Sequence, residues 1–215
     1  MNKSQQIRKG AGMTEIRDEA ISELINRYDR CVIEYSFLSD EMPYRGIDSH
    51  RDALEHAMIL TAQRNDEKAA KVGELFGEEL AQTLKPWIYD TYSAEATKID
   101  PEQFLFVPDV RRTDINGTVF YDTDCDPEND GFEGTIPYWY AFLEPPHGSG
   151  YAPDDLRKIN SMLFPDGPDG LEIYEWTTDW SDYFDDGHEW WGAACWSIYD
   201  AHRERYTVML ASATD

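Results

Sequence analysis

The chain has 215 residues, of which 43 are acidic and 19 are basic, giving a formal net charge of -24 at neutral pH. A chain of this length forms one substantial domain or two small ones and needs no disulfides or structural metals to bury a core. Because nucleic-acid binding requires basic residues that neutralise phosphates, the charge argues against direct contact with nucleic acid. It favours basic partners, whose approach a negative field accelerates.

The charge is unevenly distributed along the chain. Residues 113–215 contain 22 acidic and four basic residues, a net charge of -18, whereas residues 1–112 contain 21 and 15, a net charge of -6. The C-terminal half therefore carries most of the negative field.

The first hundred residues carry apolar side chains at helical spacing, after a start at residues 1–13 that we expect to be disordered. The pattern predicts a helix from Thr14 to Tyr28 or beyond, because its four-residue spacing continues to Val32. Two more are predicted over Ser49–Ala62 and Asp66–Leu84, which leaves open whether residues 64–66 interrupt one continuous helix. We therefore expect a helical region over residues 14–98.

Residues 99–215 favour strands. Six runs are predicted as strands: Phe104–Val107, Thr118–Asp122, Ile136–Leu143, Leu171–Trp176, Ala193–Tyr199 and Arg205–Ala211. A helix that begins at Pro153 interrupts them, since Leu156, Ile159 and Leu163 form one apolar face. The sequence thus predicts an α+β fold, with N-terminal helices followed by a mainly antiparallel sheet with one inserted helix, packed as one compact unit.

The cysteines and the N-terminus indicate a compartment. Cys31, Cys125 and Cys195 are odd in number and widely spaced, which is typical of reduced thiols and not of a disulfide framework. The first 13 residues lack the apolar core of a signal peptide, and no apolar run approaches the roughly 18 residues of a membrane helix. We expect a cytoplasmic protein with no membrane contact.

The segment Trp176–Trp196 concentrates tryptophans and carboxylates without a single Lys or Arg. Its two ends are predicted to be strands whose side chains pack in the core. The middle part, Thr177–Trp190, is named here the aromatic–acidic loop, and it predicts a contact surface: rings supply buried area, and acids pair with basic groups of a partner. The predicted partner-binding residues are Trp180, Asp182, Tyr183, Asp185, Asp186, Glu189 and Trp190.

Acidic residues at EF-hand spacing raise the possibility of a calcium loop. The candidate ligands are Asp122, Asp124, Asp126, Asp130 and Glu133. Pro127 stands where that loop needs a glycine for its sharp turn, so a solvated acidic loop is the favoured interpretation and no cofactor is expected.

Two alternative functions use the aromatic–acidic loop differently. A metal-dependent hydrolase would take His188 and Asp185 as ligands, although no HExxH or other strong catalytic signature is present and no catalytic residue is assigned. A carbohydrate-binding module would stack its rings on sugars. Cys195, inside a predicted strand in an acidic setting, is expected to be a buried structural thiol.

The overall character resembles that of bacterial toxin-immunity proteins, which are small, soluble, strongly acidic and α+β. The resemblance rests on this character alone, with no motif whose residues align. It implies tight binding of a basic toxin domain, often a nuclease, whose active site is blocked by acids that stand in for phosphates.

Overall fold

The computed structural model describes residues 12–28, 30–84, 86–115, 118–123, 136–145, 148–189 and 192–213. The strands are β1 (Met13–Glu15), β2 (Ile33–Asp40), β3 (Ala96–Ile99), β4 (Val110–Ile115), β5 (Thr118–Thr123), β6 (Leu171–Trp176), β7 (Gly192–Asp200) and β8 (Arg205–Ala213). The helices are α1 (Glu19–Asn26), α2 (Ile47–Phe76), α3 (Glu78–Ala81), α4 (Pro101–Phe104), α5 (Tyr138–Leu143), α6 (Pro153–Leu163) and α7 (Asp185–Glu189). A 3₁₀ turn, Asp182–Phe184, precedes α7.

Six strands form one antiparallel sheet in the order β1-β2-β8-β7-β6-β3, while β4 and β5 form a separate hairpin. The register of the long central strands places Trp196 beside Met209 on one side and Glu175 on the other. Tyr199 lies opposite Tyr206 next to the β7–β8 turn. The α+β class predicted from the sequence is confirmed.

The two faces of the sheet carry separate apolar clusters, because side chains alternate between faces along each strand. On one face Trp196, Ile198 and Met209 pack with residues of α1, α4, α5 and α6. On the other face Cys195 and Leu210 pack with α2 and with the chain that follows β6. The sheet is thus the middle layer of three.

The predicted first helix is shorter than expected. Residues 13–15 form β1, which pairs with β2, and α1 begins only after Asp18. Met13 is thus ordered in a strand, contrary to the prediction of a disordered start over residues 1–13, and residues 1–11 lie outside the described residues. The Asp18 carboxylate accepts hydrogen bonds from the backbone N–H groups of Ala20 and Ile21, at 2.9 and 3.1 Å. This cap satisfies two of the free donors at a helix start and fixes the boundary there.

The prediction of a strand over Ile136–Leu143 is wrong, since Tyr138–Leu143 is helix α5 with Pro137 as its N-cap residue. A continuous apolar run has no period that separates a buried strand from a buried helix, and α5 is buried on nearly all sides. The strand predicted over Phe104–Val107 is also absent. Phe104 ends α4, which is capped by Asp100 and has Pro101 in its first turn.

The remaining predictions agree more closely with the structure. Helix α6 and strands β5, β6, β7 and β8 are confirmed, and α2 runs unbroken through residues 64–66. The helix predicted to reach Leu84 is interrupted at Gly77, whose φ is 97°, and ends with α3 at Ala81. The first hundred residues also supply β1, β2 and β3, so helices and strands alternate more than the sequence patterns indicated. None of the described helices is long and apolar enough to cross a lipid bilayer.

Candidate functional site

The aromatic–acidic loop folds over the same face of the sheet as α2, and its first tryptophan is buried. Trp180 is only 4% exposed, and its indole N–H donates to the carbonyl of Thr177. Its ring packs edge-on against Phe184, with centroids 5.2 Å apart, and Phe184 is fully buried. The expectation that Trp180 offers a ring to a partner is therefore wrong: the ring anchors the loop to the core.

Tyr183 is half-buried and also points toward the protein. Its ring packs edge-on against Trp87 at a centroid distance of 5.0 Å, and burial raises the pKa of its phenol well above the ordinary value. Asp182 is exposed, yet its carboxylate accepts from the N–H of Ile88 at 2.7 Å and so ties the loop to the chain before β3. Both residues hold the loop in position.

The other carboxylates of the loop face solvent. Asp179, Asp185, Asp186 and Glu189 are exposed, and none of them forms an ion pair with any residue that the structure describes. Trp190 lies outside the described residues. Of the predicted partner-binding residues, the exposed acids of α7 are thus the part that is available to a partner.

Gly187 of α7 lies directly against strands β7 and β8. The N–H of Gly187 donates to the Ser212 hydroxyl of β8 at 3.1 Å. A Cβ at Gly187 would lie 2.2 Å from the carbonyl oxygen of Gly192, so only glycine fits there. The acids of α7 are therefore presented on a segment joined directly to the sheet.

The residues proposed for metal binding are not assembled. His188 Nε2 lies 2.7 Å from the hydroxyl of Thr178, and within the described ranges no three His, Cys, Asp or Glu side chains form a metal-holding group. Of the calcium-loop candidates, Asp122 belongs to β5. The other four, Asp124, Asp126, Asp130 and Glu133, lie outside the described residues.

A second site, which sequence reasoning missed, lies at the opposite end of the sheet. We call it the tyrosine pocket, a cavity of about 320 Å³ lined by Asp40, Glu41, Met42, Pro43, Tyr44, Tyr199, Glu204 and Tyr206. The end of β2 and its following loop form one wall, and the β7–β8 turn forms the other. Between Tyr206 and Ser212, β8 covers about 20 Å, so the pocket and α7 are separate surfaces.

Three rings form the apolar part of the tyrosine pocket. Tyr44 stacks flat on Tyr199, with centroids 4.1 Å apart and planes 4° from parallel. Tyr206 follows at 4.8 Å from Tyr199 with its plane tilted by 38°. Tyr206 is buried and the other two are half-exposed, so the pocket presents aromatic surface to solvent.

The acidic part of the pocket contains an incompletely bonded carboxylate. The Asp40 side chain is only 3% exposed, and its Oδ1 accepts from the Met42 N–H at 2.9 Å. Its Oδ2 is buried without a hydrogen-bond partner in the described chain, and Arg45 Nη2 remains 3.7 Å away. Arg45 instead bonds to Asp52 at 2.6 Å. Buried carboxylate oxygens are normally bonded, so Asp40 Oδ2 keeps an unused acceptor in this wall.

A chain of hydrogen bonds beneath the pocket fixes Tyr44. The Trp176 indole donates to the Ser197 hydroxyl at 2.8 Å, and Ser197 Oγ lies 2.8 Å from His50 Nδ1. His50 Nε2 lies 3.1 Å from the Tyr44 hydroxyl, which in turn donates to Glu172. One assignment of protons, in which each group donates to the next, satisfies every member of this chain.

The Ser197–His50 pair has the composition of a nucleophile and its base but not the access. Both residues are fully buried, so no substrate reaches the hydroxyl. Burial lowers the pKa of His50 to about 4, which keeps the imidazole neutral. Glu172 is further held by Lys98 Nζ at 2.8 Å and by the Tyr174 hydroxyl at 3.1 Å. The arrangement positions the Tyr44 ring and supports no covalent chemistry.

The pocket was missed because its walls are about 160 residues apart in the chain, at 40–44 and 199–206. One signal was available. The predicted β7–β8 hairpin places Tyr199 opposite Tyr206, and paired aromatic residues next to an acidic turn mark a surface that is worth inspecting. Nothing in the sequence indicated that β2 would deliver Tyr44 to the same place.

Comparisons of the chain with protein-family models, with curated proteins and with solved structures gave no match.

Proposed function

We propose that this protein binds and neutralises a basic protein partner in the cytoplasm, in the manner of an immunity or inhibitor protein, and that a toxin nuclease domain is the kind of partner it fits. One observation carries the proposal: the exposed, unpaired carboxylates around α7, on a loop that buried rings anchor. These carboxylates belong to Asp179, Asp185, Asp186 and Glu189.

The clustering of these acids is electrostatically unfavourable in the free protein. Like charges within a few residues repel one another, and no described cation offsets them. A partner that brings Arg or Lys would relieve this repulsion and form charge-assisted hydrogen bonds. The charge of the whole C-terminal half would also steer a basic partner toward the protein before contact.

The loop is suited to binding because it is held in place before a partner arrives. Trp180 and Phe184 are buried beneath it, and Gly187 is bonded to β8. A preorganised surface loses less conformational entropy on association than a free loop does. The rings support binding indirectly, by fixing where the carboxylates lie.

The proposal is tested by a variant that removes charge without changing shape. Asp179→Asn, Asp185→Asn, Asp186→Asn and Glu189→Gln would be combined in one protein. The matched control neutralises four exposed acids of α2 and α3, by Glu67→Gln, Glu74→Gln, Glu78→Gln and Glu79→Gln, and so has the same net charge.

Binding would be tested against two sources of a partner: the protein encoded by the adjacent gene, and lysate of the source organism. We expect the wild type and the control to capture a basic protein and to suppress its toxicity on co-expression, and the loop variant to lose both abilities. Equal capture by the loop variant and the control would show that α7 is not the binding surface.

A further inference from the structure

We propose that the tyrosine pocket binds the guanidinium group of an arginine side chain. The inference rests on the proposed function in one respect: the basic partner would supply this arginine. The pocket itself is separate from α7, because it lies at the other end of the sheet. The cavity of about 320 Å³ is at the low end of the range for ligand pockets, about 300–1,000 Å³, and so suits one side chain.

The chemistry of the walls selects a cation. Three carboxylates line the cavity, those of Asp40, Glu41 and Glu204. A neighbouring cation, Arg45, donates to Asp52 on α2 and forms only a longer ion pair with Asp40, at 3.7 Å. Asp40 Oδ2 is the strongest indication, since its side chain is 97% buried and this oxygen lacks a hydrogen bond among the described residues. An N–H donor that enters the pocket would complete its bonding.

The shape of the walls selects a planar cation over a compact one. Tyr44 and Tyr199 are stacked almost in parallel and cover each other's inner faces, while Tyr206 also packs against Tyr199. The ring surface that a cation can reach is therefore that of the half-buried Tyr44, which Tyr199 supports from behind. A guanidinium is flat, weakly hydrated and carries donors in a fork, so it stacks on a tyrosine ring while it bonds a carboxylate at its edge. A lysine ammonium offers no plane to stack and holds its water more strongly.

The backbone of the pocket supports a binding role. Glu204 is the one non-glycine residue of the described chain with positive φ, at 48°. This left-handed conformation is unfavourable for a residue with a side chain, and such strain clusters at binding sites. Here it occurs in the β7–β8 turn and places a carboxylate at the mouth of the cavity.

A blocked arginine is the appropriate ligand because only its side chain is charged. Free arginine adds an α-carboxylate, which Glu41 and Glu204 would repel, and an α-ammonium, which they would attract, since both residues are exposed beside the opening. The hydrogen-bonded chain behind Tyr44 fixes one ring before the ligand arrives, so little ordering is needed on binding.

The test titrates the full-length protein with N-acetyl-L-arginine N-methylamide, followed by NMR of the tyrosine and methyl signals. The matched ligand is the citrulline analogue, which has nearly the same shape and no charge. The lysine analogue completes the set. We expect the blocked arginine to bind more tightly than both analogues, with shifts at Tyr44, Tyr199 and Met42.

Two variants locate the binding. Asp40→Asn keeps the oxygen that accepts from Met42 and removes the charge, and we expect about tenfold weaker binding. Tyr199→Leu should weaken it about threefold, since Tyr199 supports the Tyr44 ring on which the guanidinium stacks. Asp66→Asn and Tyr92→Leu, both on exposed positions outside the pocket, are the controls and should bind as the wild type does.

The inference is overturned if the citrulline or the lysine analogue binds as tightly as the blocked arginine. It is also overturned if both pocket variants, shown to be folded by near-UV circular dichroism, bind unchanged. This experiment uses no protein partner, so its failure would leave the proposed function of α7 intact, and loss of partner binding by the α7 variant would leave this pocket intact.

Discussion

His50 Nδ1 lies 2.8 Å from the Ser197 hydroxyl, a contact that joins the middle of the sheet to α2. Both side chains are fully buried, and burial lowers the pKa of the imidazole to about 4. A neutral, buried histidine makes stability depend on pH. Between about pH 4 and pH 6.5 the unfolded chain takes up a proton that the folded protein does not, so the free energy of unfolding falls as the pH is lowered through this window.

We predict that His50→Gln removes this dependence. The difference in the free energy of unfolding between wild type and variant should shrink by about 2–3 kcal/mol from pH 7 to pH 4, as measured by urea unfolding. His56, which is half-buried on the same helix, provides the control His56→Gln. If the difference between the wild type and His50→Gln stays constant with pH, the imidazole is not held neutral by burial.

Glu175 should make the free energy of unfolding depend on pH in the opposite direction. Burial raises the pKa of its carboxyl to about 7, partly offset by a hydrogen bond from the Trp196 indole. The folded protein therefore holds a proton that the unfolded chain loses near pH 4.5. This contribution to stability is complete below about pH 4.5 and is lost as the pH rises through about 7.

Glu175→Gln should accordingly stabilise the protein at high pH. We expect the variant to gain about 2–3 kcal/mol over the wild type between pH 4 and pH 8 in the free energy of unfolding. Glu172→Gln is not an equivalent change, because Lys98 and Tyr44 hold that carboxylate in its ionised form. A wild-type Glu175 signal that titrates near pH 4.5 by NMR would contradict the prediction.

We expect Glu204 to lower the stability of the protein and at the same time to strengthen the binding of arginine. Glu204→Gly relieves the left-handed strain and should raise the free energy of unfolding by about 1 kcal/mol. Glu204→Ala retains the strain and removes the charge. We expect both variants to bind blocked arginine more weakly than the wild type, and the glycine variant alone to be more stable. Tighter binding by either one would contradict the role assigned to this carboxylate.

Trp180 distinguishes an anchoring role from direct contact with a partner. Because the ring is buried, Trp180→Ala should cost about 3–5 kcal/mol in the free energy of unfolding. Tyr92→Ala, at a ring that is 58% exposed, should change it by less than about 0.5 kcal/mol. A Trp180→Ala protein as stable as the wild type would restore the view that this ring is free to contact a partner.

The sequence predicted the parts of the fold whose patterns are local. Strand β8 alternates polar and apolar residues after a short turn that joins it to β7, and α6 has one apolar face after a proline, so these elements could be assigned. Helix α5 could not, because its run of apolar and aromatic residues satisfies a buried strand equally well. Strand β2 was missed because Val32 continued the four-residue spacing of the preceding helix.

For the candidate sites too, local sequence patterns could be interpreted and long-range contacts could not. The acids around α7 are contiguous in sequence and were found. The role of Trp180 was misassigned, because sequence composition does not show which side of a loop a ring faces. The tyrosine pocket depends on β2 and the β7–β8 turn meeting across the sheet, and such a long-range contact leaves no local pattern.

The association rate of the captured partner, measured from about 50 mM to about 500 mM salt, tests the role of the α7 carboxylates most sharply. We expect the rate to fall steeply with salt for the wild type and for the α2–α3 control. The variant neutralised at Asp179, Asp185, Asp186 and Glu189 should associate more slowly, with a shallower dependence on salt. Identical rates and salt slopes for all three proteins would contradict the claim that the α7 carboxylates receive a basic partner.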